Sequence, residues 1–524
     1  MGLEGVQVKL LSTVDDAQEF MTWLGERRPV LGFDTETEGL QWWRMNCRLA
    51  QFGDGMTGWA IPFERWSGVV EEAFQKYTGP IAGHNIRFDL RFMDHHGIHV
   101  NQAQVHDTML QANALWPNER LALKWLATKH IDPHAAAGEA ALADAMSGGG
   151  WTWKDVPVNL PQYWSYGALD TVLTARMHEL MMPMLTQQGL MDVYELECAV
   201  SQVLFKMETR GAHINVPHCR EQHRLLTEYA IEARRYVLST YGVSPTSKDE
   251  VISFLAGQGY EFRKRTKGGA IALDEDVLKS MKHPITELIL NIRRAEKLAS
   301  TYFSNFIDLV GPDDMLHCSV RQVGARTGRM SITEPALQTL PRDNKTVRNA
   351  FIPVDEDHRI VTIDYKQIEM RIFAHFAGEQ EMIRQIRDLG VDLHTAVARV
   401  IYGIPDDQLP PAHLRQITKN ANFAKVYGAG AKKFALTAGI SEEEGVNFYA
   451  TYDAMFPRVK AFQRELAAVA QARYAETGRA FVHAPSGRLH VADEDTLYKL
   501  VNYLVQGTAA DVLKQKLVQL DLCG

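Results

Sequence analysis

Asp34 and Glu36 stand two apart at the end of an apolar run, PVLGFDTE, at residues 29–36. In a strand, residues two apart point to one face, so the two carboxylates lie side by side. Asn85 and Asp89 are four apart in GHNIRFDLRFM, and Tyr166 and Asp170 are four apart in a segment with a helical pattern. A helix puts residues four apart on one face. Three segments thus present oxygen ligands to one place. Hard divalent cations such as Mg²⁺ take carboxylate oxygens and water. Two such ions about 4 Å apart can activate a water and hold the leaving oxygen of a phosphodiester. A lone DxE is more often a solvated turn, and a lone tyrosine more often packs. The ordered conjunction DTE, NxxxD, YxxxD is far more specific.

A second set lies near the C-terminal end. Asp364 follows the apolar run RIVTI, so a strand there would point its carboxylate into a cleft. Its bland alternative is a helix N-cap, because a helical pattern with Glu369 follows. Arg415, Lys419, Phe423 and Tyr427 recur every fourth residue. On a helix they make one slowly drifting stripe, from two cations to two aromatics. The cations suit a triphosphate and the aromatics a base and sugar. A solvated basic end joined to a core-facing aromatic end gives the same pattern.

The elements that must hold these residues are legible in outline. Residues 6–11 and 29–36 read as strands, and strand and helix patterns alternate to about residue 130, an α/β arrangement. Residues 135–146 favour helix, and Gly148, Gly149 and Gly150 are expected to break into a loop. Residues 162–187 read as one long helix ending near Gly189. Mostly helical pattern fills 192–310, with a polar loop at 263–269. Strand-like segments return from 317, including Arg359 to Tyr365, and helices dominate again from 366 to 475. A last amphipathic helix spans roughly residues 496–521.

The 524 residues carry 56 basic and 64 acidic side chains, a net charge of −8, which excludes a uniformly cationic protein but not local basic strips. Residues 263–297 hold nine basic and five acidic residues, and 317–350 hold six and two, enough to neutralise phosphates locally. The first group includes Arg263, Lys264, Arg265 and Lys267, and the second Arg326, Arg329 and Arg342. The five cysteines form no CxxC pair and suit a reducing cytoplasm. No signal peptide and no membrane-spanning run is expected.

With DTE, NxxxD and YxxxD in order, residues 1–187 resemble the DEDDy 3′–5′ exonucleases, an α/β ribonuclease H-like fold. The resemblance implies that Asp34, Glu36, Asp89 and Asp170 bind two metals, that Tyr166 orients the attacking water, and that Asn85 supports substrate. Residues 317–524 resemble family A DNA polymerases, the bacterial DNA polymerase I group. RTGRMSITEPALQTLPR resembles the template–primer segment, DYKQIEMR motif A, RxxxKxxxFxxxYG motif B, and NYLVQGTAAD the helix before motif C. The family couples this module to such an exonuclease in the same order. The implied fold is a right hand: thumb at 192–310, palm at 311–375 and 481–524, fingers at 376–480.

The polymerase resemblance implies roles residue by residue. Asp364 and the Tyr365 carbonyl would face two Mg²⁺ (or Mn²⁺) ions. Arg415, Lys419 and His394 would contact the triphosphate, Lys419 also protonating pyrophosphate. Gln367 and Phe423 would line the nucleotide site. Glu369 and Tyr427 would exclude a ribose 2′-hydroxyl by filling the space beside it. Phe423, in place of tyrosine, implies poor use of dideoxynucleotides. Arg329, Gln338, Asn502 and Gln506 would touch DNA through the minor groove, where acceptors are common to all pairs. Lys366, Ala336 and Tyr498 depart from the usual motif residues.

Motif C, His-Asp-Glu, occurs nowhere, and the chain runs only 18 residues past Gln506. The expectation is a palm sheet short of strands with an exposed edge. The leading reading is a replicative DNA polymerase with proofreading, partnered by primer–template DNA and dNTPs, with no membrane. Its alternatives are an exonuclease with a DNA-gripping but polymerase-inactive module, or a subunit completed by a second chain carrying motif C. The start close to the exonuclease resembles bacteriophage members, which act in the host cytoplasm.

Overall fold

The computed structural model of the chain describes residues 3–523 apart from 263, 267, 342, 343, 389 and 391. Arg263, Lys267 and Arg342 of the basic stretches lie outside the described residues. Two compact units form: Met1–Lys206 with Gln322–Ser331 and Ile363–Gly524, and Met207–Arg321 with Ile332–Thr362.

The first part of unit one contains β1 (Gln7–Leu10), α1 (Val14–Leu24), β2 (Leu31–Thr37), β3 (Cys47–Gly53), β4 (Thr57–Pro62), α2 (Phe63–Lys76), β5 (Ile81–Gly83) and α3 (Arg87–His95). After it come β6 (Val105–Asp107), α4 (Thr108–Leu115), α5 (Leu123–His130), α6 (Ala137–Gly149), α7 (Pro161–Gln187) and α8 (Met191–Arg210). The strands make one mixed sheet in the order β1-β4-β3-β2-β5-β6. β2 runs antiparallel to β3 and parallel to β5. It is central, so Phe33, Thr35 and Glu36 are all buried, as both faces are covered.

Helix α7 lies almost on the sheet backbone, and glycines make that approach. An added methyl at Gly32 would stand 2.2 Å from the Thr171 carbonyl oxygen, and at Gly58 2.2 Å from that of Ala168. At Gly167 it would stand 2.2 Å from the Gln51 amide nitrogen. This close seat sets Tyr166 and Asp170 over β2 and β3. Gly58→Ala must lift the helix, so it is expected to cost about 1–3 kcal/mol. A urea midpoint equal to that of the unsubstituted chain would contradict the close seat.

The expected break at Gly148–Gly150 is corrected. Helix α6 continues through Gly149, and only Gly150, at φ 65°, ends it. The Trp151 N–H donates to the Met146 carbonyl over 2.9 Å and that of Gly150 to Ser147 over 3.3 Å, a Schellman closure. A left-handed glycine stops the helix, whereas the two before it merely lower its propensity.

Unit two is mainly helical: β7 (Ala212–His213), α9 (Val216–Tyr241), α10 (Lys248–Gly257), α11 (Glu275–Ser280), α12 (Pro284–Lys297) and α13 (Asn305–Leu309), then β8 (Met315–Leu316) and β9 (Ser319–Arg321). The strand β10 (Ser331–Thr333) and helix α14 (Lys345–Arg348) follow. A π-helical turn at Leu298–Ser304 joins α12 to α13. A cleft beside α12 is lined by Lys279, Lys282, Arg293, Arg294 and Lys297.

Unit one resumes with α15 (Ile368–Ala377), α16 (Gln380–Ile383), α17 (Leu393–Tyr402), α18 (Ala412–Val426), α19 (Ala431–Ala438), α20 (Glu442–Met455), α21 (Pro457–Thr477), a β11–β12 hairpin (Ala480–His483, Leu489–Ala492) and α22 (Lys499–Leu522). The expected strand at Arg359 to Tyr365 is absent: 359–365 has no regular structure. Ile360, Val361 and Ile363 are 59%, 75% and 82% exposed. A strand needs a ladder partner, and among the described residues none pairs with this run.

A buried ionic cluster ties α8 to the C-terminal elements. Glu197 Oε1 pairs with Arg488 Nη2 at 2.5 Å and with Lys514 Nζ at 2.6 Å. Arg488 Nε also donates to Asp511 at 2.7 Å. Gln322 donates to Glu197 Oε2 at 2.6 Å and accepts from Arg87 Nη1 at 2.8 Å, joining α3 to the cluster.

Three histidines of this unit are buried and kept neutral. Burial pushes His178 down to about 3, burial and then the Arg488 charge push His490 to about 3, and burial pushes His394 to about 4 against the opposing charge of Asp392. A histidine so depressed binds fewer protons folded than unfolded between about pH 4 and 6.5. Their contribution is full above about pH 6.5 and is lost as pH falls to about 4 for His394 and to about 3 for His178 and His490. The raised carboxylates of β2, α3 and α7 run the other way, so the check is comparative: a urea midpoint that falls no more steeply between pH 7 and 5 in the parent chain than in a chain with His178, His394 and His490 all replaced by Gln would contradict this.

Candidate active sites

The first constellation converges as expected. Asp34 and Glu36 come from β2, Asp89 from the first turn of α3, and Tyr166 and Asp170 from α7. Asp89 Oδ1 accepts from the Thr35 N–H at 3.0 Å and the Thr35 hydroxyl at 2.6 Å. Burial and mutual repulsion hold Asp34 and Glu36 far above the carboxylate range: Asp89 and Asp170 repel both. Burial pushes Asp89 up to about 7, against the Thr35 hydrogen bonds. Asp170 is also raised by burial, opposed first by the Lys124 ammonium. Burial and the charges of Asp170, Glu36 and Asp34 push the Tyr166 phenol up, so it keeps its proton.

Two details depart from the sequence reading. Asn85 and Asp89 do not share a helix face, because α3 starts at Arg87. Asn85 precedes it at φ 61°, a left-handed conformation asparagine tolerates, with its N–H on Asp107 Oδ1 at 3.1 Å. Lys124 of α5 went unseen: its ammonium contacts Asp170 and lies 4.4 Å from the Tyr166 ring centroid. It belongs to no spaced motif, and only its position in an otherwise apolar helix start could have marked it.

The donor set fits hard cations: four carboxylates share one buried place, and their repulsion is relieved by positive charge. As the side chains stand, no three metal-ligating groups gather tightly enough to grip an ion among the described residues.

The second constellation is gathered in part. Arg329 Nη1 pairs with Glu369 Oε1 at 3.2 Å. The Tyr427 hydroxyl donates to Glu369 Oε2 at 3.3 Å, and Gln506 Nε2 donates to that hydroxyl at 3.3 Å. The Phe423 and Tyr427 rings stack at 5.9 Å, and His394 packs on Phe423 at 5.8 Å. Tyr427 is the C-cap of α18 rather than a helical residue, yet it keeps the stripe. A cavity of about 500 Å³ opens beside it, lined by Phe423, Tyr427, Phe434 and Tyr498.

Arg415 and Gln367 meet at Asp392, which the sequence reading missed. Arg415 Nη2 lies 2.7 Å from Asp392 Oδ2, and the Gln367 amide donates to Oδ1. Burial raises Asp392, but hydrogen bonds from Thr395 and Arg415 outweigh it and hold the carboxyl low. His394 Nδ1 bonds the Asn422 amide at 2.8 Å. Lys419 is half-buried on the same helix. Asn502 lies in the first turn of α22, its Oδ1 buried without a hydrogen-bond partner among the described residues.

Gln338 belongs to unit two, where its Oε1 accepts from the Ile332 N–H at 3.3 Å. Asp364 and Tyr365 are exposed, and neither expected setting holds for Asp364: it ends no strand, and the α15 N-cap is Gln367 at φ 55°. No cluster of three ligating groups surrounds Asp364 among the described residues, so a metal cradle is not formed there.

No helix among the described residues is long and apolar enough to cross a membrane. The family model "DNA polymerase family A" matches residues 220–522, and the model "3′-5′ exonuclease" matches 10–186. The DNA polymerase of Mycobacterium phage D29 is 27% identical, over 99% of this chain and 88% of that protein. The thermostable DNA polymerase I of Thermus aquaticus is 32% identical over 62% of this chain and 40% of its own length. Among solved structures, the POL domain of Pol1 from M. smegmatis, in complex with DNA primer-template and dNTP, shares the fold. Its TM-score is 0.77 at 21% identity, covering 98% of this chain and 89% of that one. The chain therefore belongs to DNA polymerase family A, with a 3′–5′ exonuclease domain preceding the polymerase domain.

Proposed function

We propose that the chain adds deoxynucleotides to the 3′-hydroxyl of a primer on template DNA and trims 3′ ends at its exonuclease site. The observation that carries this is the convergence of Asp34, Glu36, Asp89 and Asp170 under Tyr166, in a chain whose Glu369, Tyr427, Gln506 and Arg329 also join. Asp34, Glu36, Asp89 and Asp170 would hold two Mg²⁺ ions, which supply water activation and charge neutralisation at the leaving oxygen. Tyr166, kept protonated, orients the attacking water by hydrogen bonding, and Asn85 supports the substrate strand.

In the polymerase module, Arg415, Lys419 and His394 face the triphosphate. Arg415 Nε and Nη2 both rest on Asp392 Oδ2, and Arg415 reaches the triphosphate by exchanging that oxygen for phosphate oxygens. His394 stays neutral and donates or accepts a hydrogen bond without changing charge. Phe423 and Tyr427 stack on the base and sugar. Glu369, fixed from two sides, fills the space beside C2′ and disfavours ribonucleotides. Gln506, Asn502, Arg329 and Gln338 contact primer and template. Asp364 and Tyr365 anchor the transfer site. The cleft beside α12 follows the duplex backbone.

Primer extension by an Asp89→Ala chain tests the polymerase reading. It is expected to extend a matched primer, and Asp364→Ala added to it is expected to lower the rate by about 10²-fold or more. Undiminished extension with Asp364→Ala would sink that assignment. The exposed apolar run 359–363 favours a second reading, in which extension needs a strand supplied by a second chain to pair with this run. Extension by the chain alone excludes it.

A further inference from the structure

Among the described residues, Lys124 is the cation seated among the exonuclease carboxylates. It stands in the first turn of α5, 8% exposed, with its ammonium on Asp170 Oδ1 and 4.4 Å from the Tyr166 ring centroid. Asp89 is likewise engaged, its Oδ1 taking both Thr35 donors. Two of the four carboxylates therefore spend an oxygen on protein donors, and no three ligating groups close on one point among the described residues.

A buried ammonium is costly unless paired, and so is a nest of carboxylates. The Lys124–Asp170 contact relieves both. A lysine suits this place: it is a compact point charge with three donors, which neutralises without imposing ligand geometry. The face of the Tyr166 ring offers the ammonium a second seat within reach.

We infer that Lys124 is a built-in competitor for the metal: its ammonium holds Asp170 in the metal-free chain and must leave that carboxylate before divalent ions take the four-carboxylate site. The inference rests on the reading of Asp34, Glu36, Asp89 and Asp170 as metal holders. It makes Lys124 a positioning residue whose removal strengthens metal binding, the reverse of what loss of a supporting contact does.

The test is Mn²⁺ titration of the full chain, followed by calorimetry and by the free-ion electron paramagnetic signal. Asp34→Ala serves as the control for the site. Lys124→Met, close in length and uncharged, is expected to lower the Mn²⁺ dissociation constant by about tenfold, the size of a single outer-shell contact. Its melting temperature is expected to fall in EDTA and to recover with Mn²⁺. If the parent chain binds no Mn²⁺ that Asp34→Ala removes, the site reading fails and this inference with it. If that binding is present but Lys124→Met leaves the constant unchanged or raises it, the inference alone is overturned. Should Lys124→Met not fold in EDTA, amine-reactive labelling of the parent chain decides. Labelling of Lys124 is expected to rise on Mn²⁺ addition, and unchanged or lower labelling overturns the inference.

Discussion

Asp89→Ala is expected to reduce Mg²⁺-dependent shortening of single-stranded DNA by on the order of a thousandfold or more while leaving the chain folded. Asp89 is the carboxylate of α3, and the other three carboxylates come from β2 and α7. Its removal leaves the sheet intact, because its two hydrogen bonds come from Thr35, whose N–H and hydroxyl both sit on β2. It also takes one negative charge from a place where Asp34 is strongly repelled by Asp89. Folding stability in EDTA should therefore hold or improve as activity disappears. That opposition separates a ligand from a structural carboxylate, whose loss lowers both. Shortening at the unsubstituted rate, measured on a labelled oligonucleotide, would remove Asp89 from the site.

Glu197→Ala is expected to be the most damaging single change to stability, by about 3–5 kcal/mol, because it strands buried cations. Arg488 is 3% exposed and Lys514 0%, and both use Glu197 Oε1. Without it, Asp511 alone faces the two, and burial already presses the Lys514 ammonium toward its neutral form. Gln322 also loses its acceptor at Glu197 Oε2, which loosens its link to Arg87 on α3. A shift in urea midpoint equivalent to less than about 0.5 kcal/mol, the range of ordinary surface changes, would contradict this account.

Much of the candidate exonuclease site was legible because its carboxylates follow short periodicities. DTE reads as a strand end and YxxxD as one helix face, and both spacings survive in the structure. NxxxD picked out Asp89, which the fold brings beside the other carboxylates, but the expected shared helix face does not hold. A left-handed Asn85 held by Asp107 imitates helical spacing one turn before the helix starts. Thr35 and Lys124 escaped because they act through tertiary contacts, 54 and 46 residues distant in sequence. The seat of α7 escaped for a similar reason. Gly32, Gly58 and Gly167 are silent in a hydrophobic pattern, and they matter through what a methyl would strike.

The polymerase motif residues divide in the same way. Glu369, Phe423 and Tyr427 are brought together by α15 and α18 over 58 residues of chain or fewer, on elements whose periodicity was plain. Asp392, which gathers Arg415 and Gln367, reads in the sequence only as a helix cap. Arg359 to Tyr365 has strand composition, but composition fixes a strand only where a partner completes the ladder. There the apolar side chains lie in solvent and Asp364 with them. The Glu197 cluster joins residues up to 317 apart and left no local signal.

One measurement tests the central claim most directly: a primer with a mismatched 3′ nucleotide, annealed to a template, is incubated with the chain and Mg²⁺, with and without dNTPs. The account predicts loss of the mismatched nucleotide in both conditions, followed by extension only with dNTPs, and neither shortening nor rescue with Asp89→Ala. A primer that is neither shortened nor extended, or one that Asp89→Ala shortens as fast as the unsubstituted chain, would contradict it.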